Sequence, residues 1–171
     1  MKLLEIKGRV ALALVESIFR RAGYALTPVG GRNVPPHLGR DDLPDFCAVR
    51  EPATGEPPER GGRVVEVRYR PQLAHYLAIE HQRGGHSTFA QIKRHWPNSL
   101  FVFFTDYPET GRSSFQVLDL VTWHVGGPIE TNDLFEHREL DIYRQNVEEH
   151  EALAHRIMTL FSGSDKLRWL G

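Results

Sequence analysis

The chain carries one cysteine, Cys47, in 171 residues. A single thiol excludes an internal disulfide and any zinc site built from several cysteines, so Cys47 reads as a small buried hydrophobe. Long apolar runs are missing too. No segment approaches the roughly 18 to 20 consecutive apolar residues of a membrane-spanning helix, and no membrane partner is expected. At the N-terminus, Lys2, Glu5 and Lys7 interrupt what would have to be the apolar segment of an export signal, which points to a cytoplasmic protein. Nor is there a surplus of either charge: 21 Lys and Arg stand against 22 Asp and Glu, a formal net charge of -1. The overall charge therefore makes no case for nucleic acid, and any basic face must be local. Internal repeats and low-complexity stretches are absent.

What is present fits one ordinary domain. The length suffices to bury a core without staples, and 40% hydrophobic with 25% charged residues is the composition of a globular protein. Residues 1–171 read as a single domain, with a core over about 8–120 and a C-terminal helical extension over about 133–171. Ala11, Leu14, Val15, Ile18, Phe19 and Ala22 have the spacing of one apolar helical stripe, closed by Gly23. Residues 24–28 then read as a short strand and 30–44 as a loop rich in Gly, Pro and Asp. Residues 45–50 and 63–69 are strands of a hairpin whose long tip is broken by Pro and Gly. Pro71 stops the second strand. Residues 88–96 form a helix, and 100–104, apolar at every position, a strand covered on both faces. Residues 114–120 alternate enough to be another strand. From Leu140 to Phe161 the pattern predicts one long or broken amphipathic helix. The order gives an α/β domain with a mixed sheet.

Asp45 begins one hairpin strand and Glu66 sits in the middle of its partner. Neighbouring strands lie about 4.8 Å apart, so side chains on one face of the pair can converge on one divalent ion, and paired carboxylates suit magnesium. Glu66 is flanked by Val64, Val65 and Val67, where an unpaired carboxylate is costly unless a metal or a basic partner offsets it. Arg68 and Arg70 continue its face of the strand. The plain alternative is that Glu66, Arg68 and Arg70 form the solvated side of an edge strand.

Leu43-Pro44-Asp45-Phe46, followed 21 residues later by Val64-Val65-Glu66-Val67-Arg68-Tyr69-Arg70, resembles the PD-(D/E)XK nuclease superfamily. The order of elements around it, over roughly residues 8–104, follows that family's pattern. The resemblance implies a restriction-endonuclease-like mixed sheet flanked by helices, with the C-terminal helical extension as an addition. It further implies metal-dependent hydrolysis of a DNA phosphodiester, with Asp45, Glu66 and the main-chain carbonyl of Val67 holding Mg²⁺ or Mn²⁺ and the ion activating water. Arg68 stands at the motif's lysine position. An arginine stays protonated and cannot act as a general base, but it can position water or neutralise charge in the transition state. Many relatives carry a glutamate on the first helix where this chain has Leu12; Glu16, one turn later, is the candidate to replace it. Gln91, on the helix after the motif, is the remaining candidate catalytic residue.

Other constellations are weaker. His75, His81, His86, His95, His150 and His155 lack paired-ligand spacing and read as scattered surface histidines, while His37, in the loop leading to Asp45, could close over a phosphate. Gly84-Gly85-His86-Ser87-Thr88 opens a helix but lacks a phosphate-loop pattern. Residues 83–96 mix basic and aromatic side chains, a combination suited to a nucleic-acid backbone, although Trp96 reads first as core. The leading expectation is a magnesium-dependent DNA endonuclease or nuclease-like protein. The alternative is a catalytically inactive nuclease-fold module binding nucleic acid or a protein partner, favoured by Arg68 and Leu12. A third reading is an interaction protein built on the two C-terminal helical segments, for which a dimer in gel filtration would be suggestive; DNA is the expected partner, with a homodimer as the other candidate.

Overall fold

A computed structural model describes residues 3–29, 43–50 and 61–167, with side chains as far as residue 162. His37, most of the loop before Leu43 and the hairpin tip at 51–60 lie outside the described residues. The expected stripe becomes α1, Leu3–Arg21, which buries Ala11, Leu14, Val15, Ile18 and Phe19. Arg20 and Arg21 occupy its last turn, where cations oppose the negative helix end. Gly23, at φ +85°, takes the left-handed position that terminates it. Strand β1, Tyr24–Pro28, pairs antiparallel with β2, Phe46–Arg50, and β2 pairs antiparallel with β3, Arg63–Tyr69. The hairpin is closely drawn where β3 begins: a Cβ on Gly62 would stand 2.6 Å from the Cys47 Sγ and 2.9 Å from the Ala48 carbonyl oxygen.

The sequence reading missed the helix after β3 and the two-residue strand at Asn132–Asp133. After Pro71 the chain forms α2, Leu73–Arg83, before α3, Thr88–His95. Helix α2 buries only Leu73 and Glu80, so its apolar signal is faint. Ser87 caps α3 by accepting from the Ala90 amide at 3.1 Å. The two helices form the crossover that lets β4, Ser99–Phe104, lie parallel to β3. Strand β5, Phe115–Asp119, is antiparallel to β4, and the two-residue β6, Asn132–Asp133, completes a mixed six-stranded sheet in sequential order. Two 3-10 turns lead to α4, Arg144–Leu167. The chain is thus an α/β protein with helices on both sheet faces and a C-terminal helix. None of the described helices is long and apolar enough to cross a membrane.

Two layers explain the uninterrupted apolar run in β4. Leu100, Val102 and Phe104 pack with α1 and α4, whereas Phe101 and Phe103 pack with Phe89, Ala90 and Ile92 of α3. Both faces of β5 are likewise covered, so all five of its residues are buried and the alternation read in the sequence does not hold. The C-terminal helix begins later than expected. Asp141 adopts a left-handed conformation (φ 47°, ψ 45°) after the turn at Arg138–Leu140, which breaks the chain direction; Tyr143, placed on the apolar stripe by the sequence, is 74% exposed. His150 is another correction. It is buried, with Nδ1 bonded to the Asn146 carbonyl at 2.7 Å and Nε2 to Ser17 Oγ at 2.8 Å, tying α4 to α1. Trp96 packs partly buried against the α2/α3 cluster, in keeping with the core reading.

Candidate functional site

Strand β3 lies inside the sheet, between β2 and β4, so Glu66 is not on a solvated edge. It is 3% exposed. The parallel register sets Glu66 opposite Phe101 and Arg68 opposite Phe103, on the sheet face covered by α2 and α3. Asp45 precedes β2 by one residue. Its amide donates to the Val65 carbonyl at 2.9 Å, and its Oδ2 accepts from the Val67 amide at 2.7 Å. That second bond fixes the carboxylate over β3, two residues along the strand from Val65 and next to Glu66.

The charges are tightly coupled. Arg68 Nη2 reaches Glu66 Oε1 at 2.6 Å. The other oxygen, Glu66 Oε2, is buried with no hydrogen-bond partner among the described residues. Burial pushes the Glu66 carboxyl up, Arg68 and Arg70 pull it back, Asp45 pushes it further, and the outcome is about 8. Asp45 is also raised: burial outweighs the Val67 amide and Arg68, and the negative charge of Glu16 adds to the rise. Arg70 donates to the Tyr69 carbonyl at 3.0 Å and lays its guanidinium 4.4 Å from the Tyr76 ring centre, joining β3 to α2.

Among the candidates from the sequence, Asp45, Glu66 and Arg68 therefore meet. Glu16 lies within electrostatic reach of Asp45, although its carboxylate also bonds Arg20 at 3.1 Å on the same helix. Leu12 packs against the core. Gln91 is exposed on α3, and its amide donates to the His86 carbonyl at 3.3 Å. Among the described residues no group of three or more His, Cys, Asp or Glu side chains is placed to hold a metal. A cation here would rest on two carboxylates and main-chain oxygen. The donors suit a hard divalent ion, because a buried carboxylate oxygen without a partner is stabilised by a positive charge. Cys47, half-buried on β2, has its thiol pushed up by burial, which suppresses the thiolate.

Sequence reasoning missed two polar constructions. Lys7 Nζ bonds the Tyr69 hydroxyl at 3.1 Å and Asp106 at 2.9 Å, and the Tyr69 hydroxyl donates to Asp106 at 2.5 Å. Burial and Asp106 push the Tyr69 phenol up to about 12. For Lys7, burial pulls the ammonium down, but its bonds to Asp106 and Tyr69 outweigh it and the net direction is up. The other construction is Glu80, 1% exposed, which accepts from the Thr88 amide at 2.6 Å and from Arg83 at 2.9 Å and so fastens α2 to α3. Residues 62 and 99 apart in sequence share the first cluster, and no local pattern announces it.

Comparison with known families, with curated proteins and with solved structures finds no match to this chain.

Proposed function

We propose that the protein is a metal-dependent DNA nuclease or nuclease-like protein acting on phosphodiester bonds, built on a restriction-endonuclease-like core. The observation that carries this reading is the buried Glu66 carboxylate, with one oxygen that has no partner among the described residues, beside Asp45 at the base of the β2–β3 hairpin. The order of helix, hairpin, crossover helices and parallel strand supports it. Asp45, Glu66 and the Val67 carbonyl would hold Mg²⁺ or Mn²⁺, which when bound supplies an activated water and a positive charge for the phosphate. Arg68 neutralises Glu66 in the metal-free protein and presents its guanidinium to the anionic substrate. Glu16 adds negative charge from α1, and Gln91 extends a polar surface on α3.

The second reading is a nuclease-fold module without catalysis, binding nucleic acid or a protein. The Arg68–Glu66 ion pair favours it, since the chain's own cation already sits on a prospective metal ligand. Calorimetry with Mn²⁺ separates the two. Micromolar binding that disappears in Asp45→Asn supports the enzyme; no binding supports the module. In the enzyme, Asp45→Ala and Glu66→Ala each abolish metal-dependent cleavage of a DNA panel while circular dichroism stays unchanged. Cleavage at the parental rate in either variant defeats the proposal.

A further inference from the structure

Charge is distributed unevenly between the two layers. Residues 70–96 hold four cations, Arg70, Arg83, Lys93 and Arg94, against one acid, Glu80, together with four histidines. Residues 130–151 hold eight carboxylates against two arginines. How the cations are answered differs as well. On the α1 side Lys7, Arg9, Arg20 and Arg21 each meet a carboxylate. In the α2/α3 layer, among the described residues, Arg83 alone has a carboxylate within salt-bridge distance. Lys93 and Arg94 instead donate to the main-chain carbonyls of Leu120 and Trp123, and of Gly85, bonds that fix the side chains without a carboxylate partner among the described residues, while Arg70 donates to the Tyr69 carbonyl and faces Glu66.

That layer is also an outward surface next to the carboxylate pair. His75, His81, Arg83, His86, Arg94 and His95 are exposed, and Arg70 bridges the layer to Glu66. Aromatic platforms on it are occupied: Trp96 is partly buried with the α2/α3 cluster, and Tyr76 is covered by Arg70 and packed on Phe89 and Phe103. Base stacking, which single strands require, is therefore poorly served, whereas phosphates can be met by guanidinium and imidazole N–H donors.

We infer that the exposed surface of α2 and α3 is a docking face for the phosphate backbone of double-stranded DNA, sequence-independent and independent of metal, which leads the duplex to Asp45 and Glu66. The inference rests on the nuclease reading for its choice of DNA, and its test separates the two. Fluorescence anisotropy of a labelled 20-base-pair duplex is measured in EDTA over a salt series for the intact chain. Arg94→Glu combined with His86→Glu weakens binding tenfold or more and lowers the slope of log affinity against log salt by about one. His155→Glu combined with Arg156→Glu, the same charge change on exposed α4 positions, leaves affinity within twofold. Arg83→Gln gives a smaller loss in the same direction, and thermal melts establish that each variant is folded. Equal weakening by the two double variants, no binding by the parent, tighter binding to a single-stranded 20-mer, or binding to anionic phospholipid vesicles in place of duplex overturns the inference. Duplex binding that fails only in the α2/α3 variants, with no cleavage under any metal, leaves the face standing and removes the nuclease reading. Cleavage with an unaffected Arg94→Glu/His86→Glu variant does the reverse.

Discussion

Two glutamates are buried on the same side of the sheet, and their surroundings differ in the respect that matters. Glu80 has both carboxylate oxygens answered, by a main-chain amide, a threonine hydroxyl and an arginine, and it holds a corner between two helices. Glu66 has one oxygen bonded to Arg68, the other without a partner among the described residues, and a second carboxylate beside it. A satisfied buried carboxylate is a fastening; an unsatisfied one avoids a costly charge by keeping its proton, which a bound cation can displace. The pair teaches that burial of a charge does not identify a site until its hydrogen bonds have been counted.

The largest separation of the two glutamates is expected in stability. Glu80→Ala leaves the Thr88 amide and hydroxyl without their acceptor, and urea denaturation should report a loss of about 2 to 3 kcal/mol. Glu66→Gln should cost little, and at pH 8.5 it should match or exceed the parent; a loss as large as that of Glu80→Ala would erase the distinction.

A smaller effect concerns pH. The Glu66 carboxyl is raised from an ordinary value near 4.5 to about 8 in the folded protein, so the unfolded chain releases this proton first. The stability from holding the proton is complete below about pH 4.5 and is lost progressively as pH rises to about 8. Asp45, also raised, acts in the same direction, while Asp119, for which the bonds from His137 and Arg63 outweigh burial, acts oppositely at the acid end. Denaturation midpoints collected from pH 5 to 8.5 should fall for the parent and flatten in Glu66→Gln. An identical slope in both would place the titration elsewhere.

The smallest change tests Arg68. Arg68→Lys keeps a positive charge beside Glu66 but loses the planar fork, so stability should change less than in Glu80→Ala. Cleavage, if present, should be retained or rise if the position serves as the motif lysine. A total loss with the fold intact would give the arginine fork a task of its own.

Much of the architecture could be read along the chain, because its signals are local. The α1 stripe, the stop at Gly23, the two hairpin strands and the doubly buried β4 each follow from spacing and turn chemistry within a few residues. Helix α2 escaped, since its apolar stripe of Leu73, Tyr76 and Leu77 is short and continues in the charged Glu80. Asp45 and Glu66 could be nominated because a hairpin register joins them. The alternative of a solvated edge for Glu66 fell only when β4 was found on the other side of β3, a long-range pairing that no neighbouring residue encodes.

By itself, the sequence determined the α/β class, the hairpin that carries the two carboxylates and the arginine beside them, since periodicity, turn residues and side-chain chemistry are properties of short segments. Tertiary structure alone decided that Glu66 is sealed and Glu80 satisfied, that Lys7, Tyr69 and Asp106 form one cluster, and that Lys93 and Arg94 of α3 are held by main-chain carbonyls. The reason is physical: desolvation and hydrogen-bond satisfaction depend on what the fold brings from distant parts of the chain, and the free energy of a buried charge is set by those neighbours.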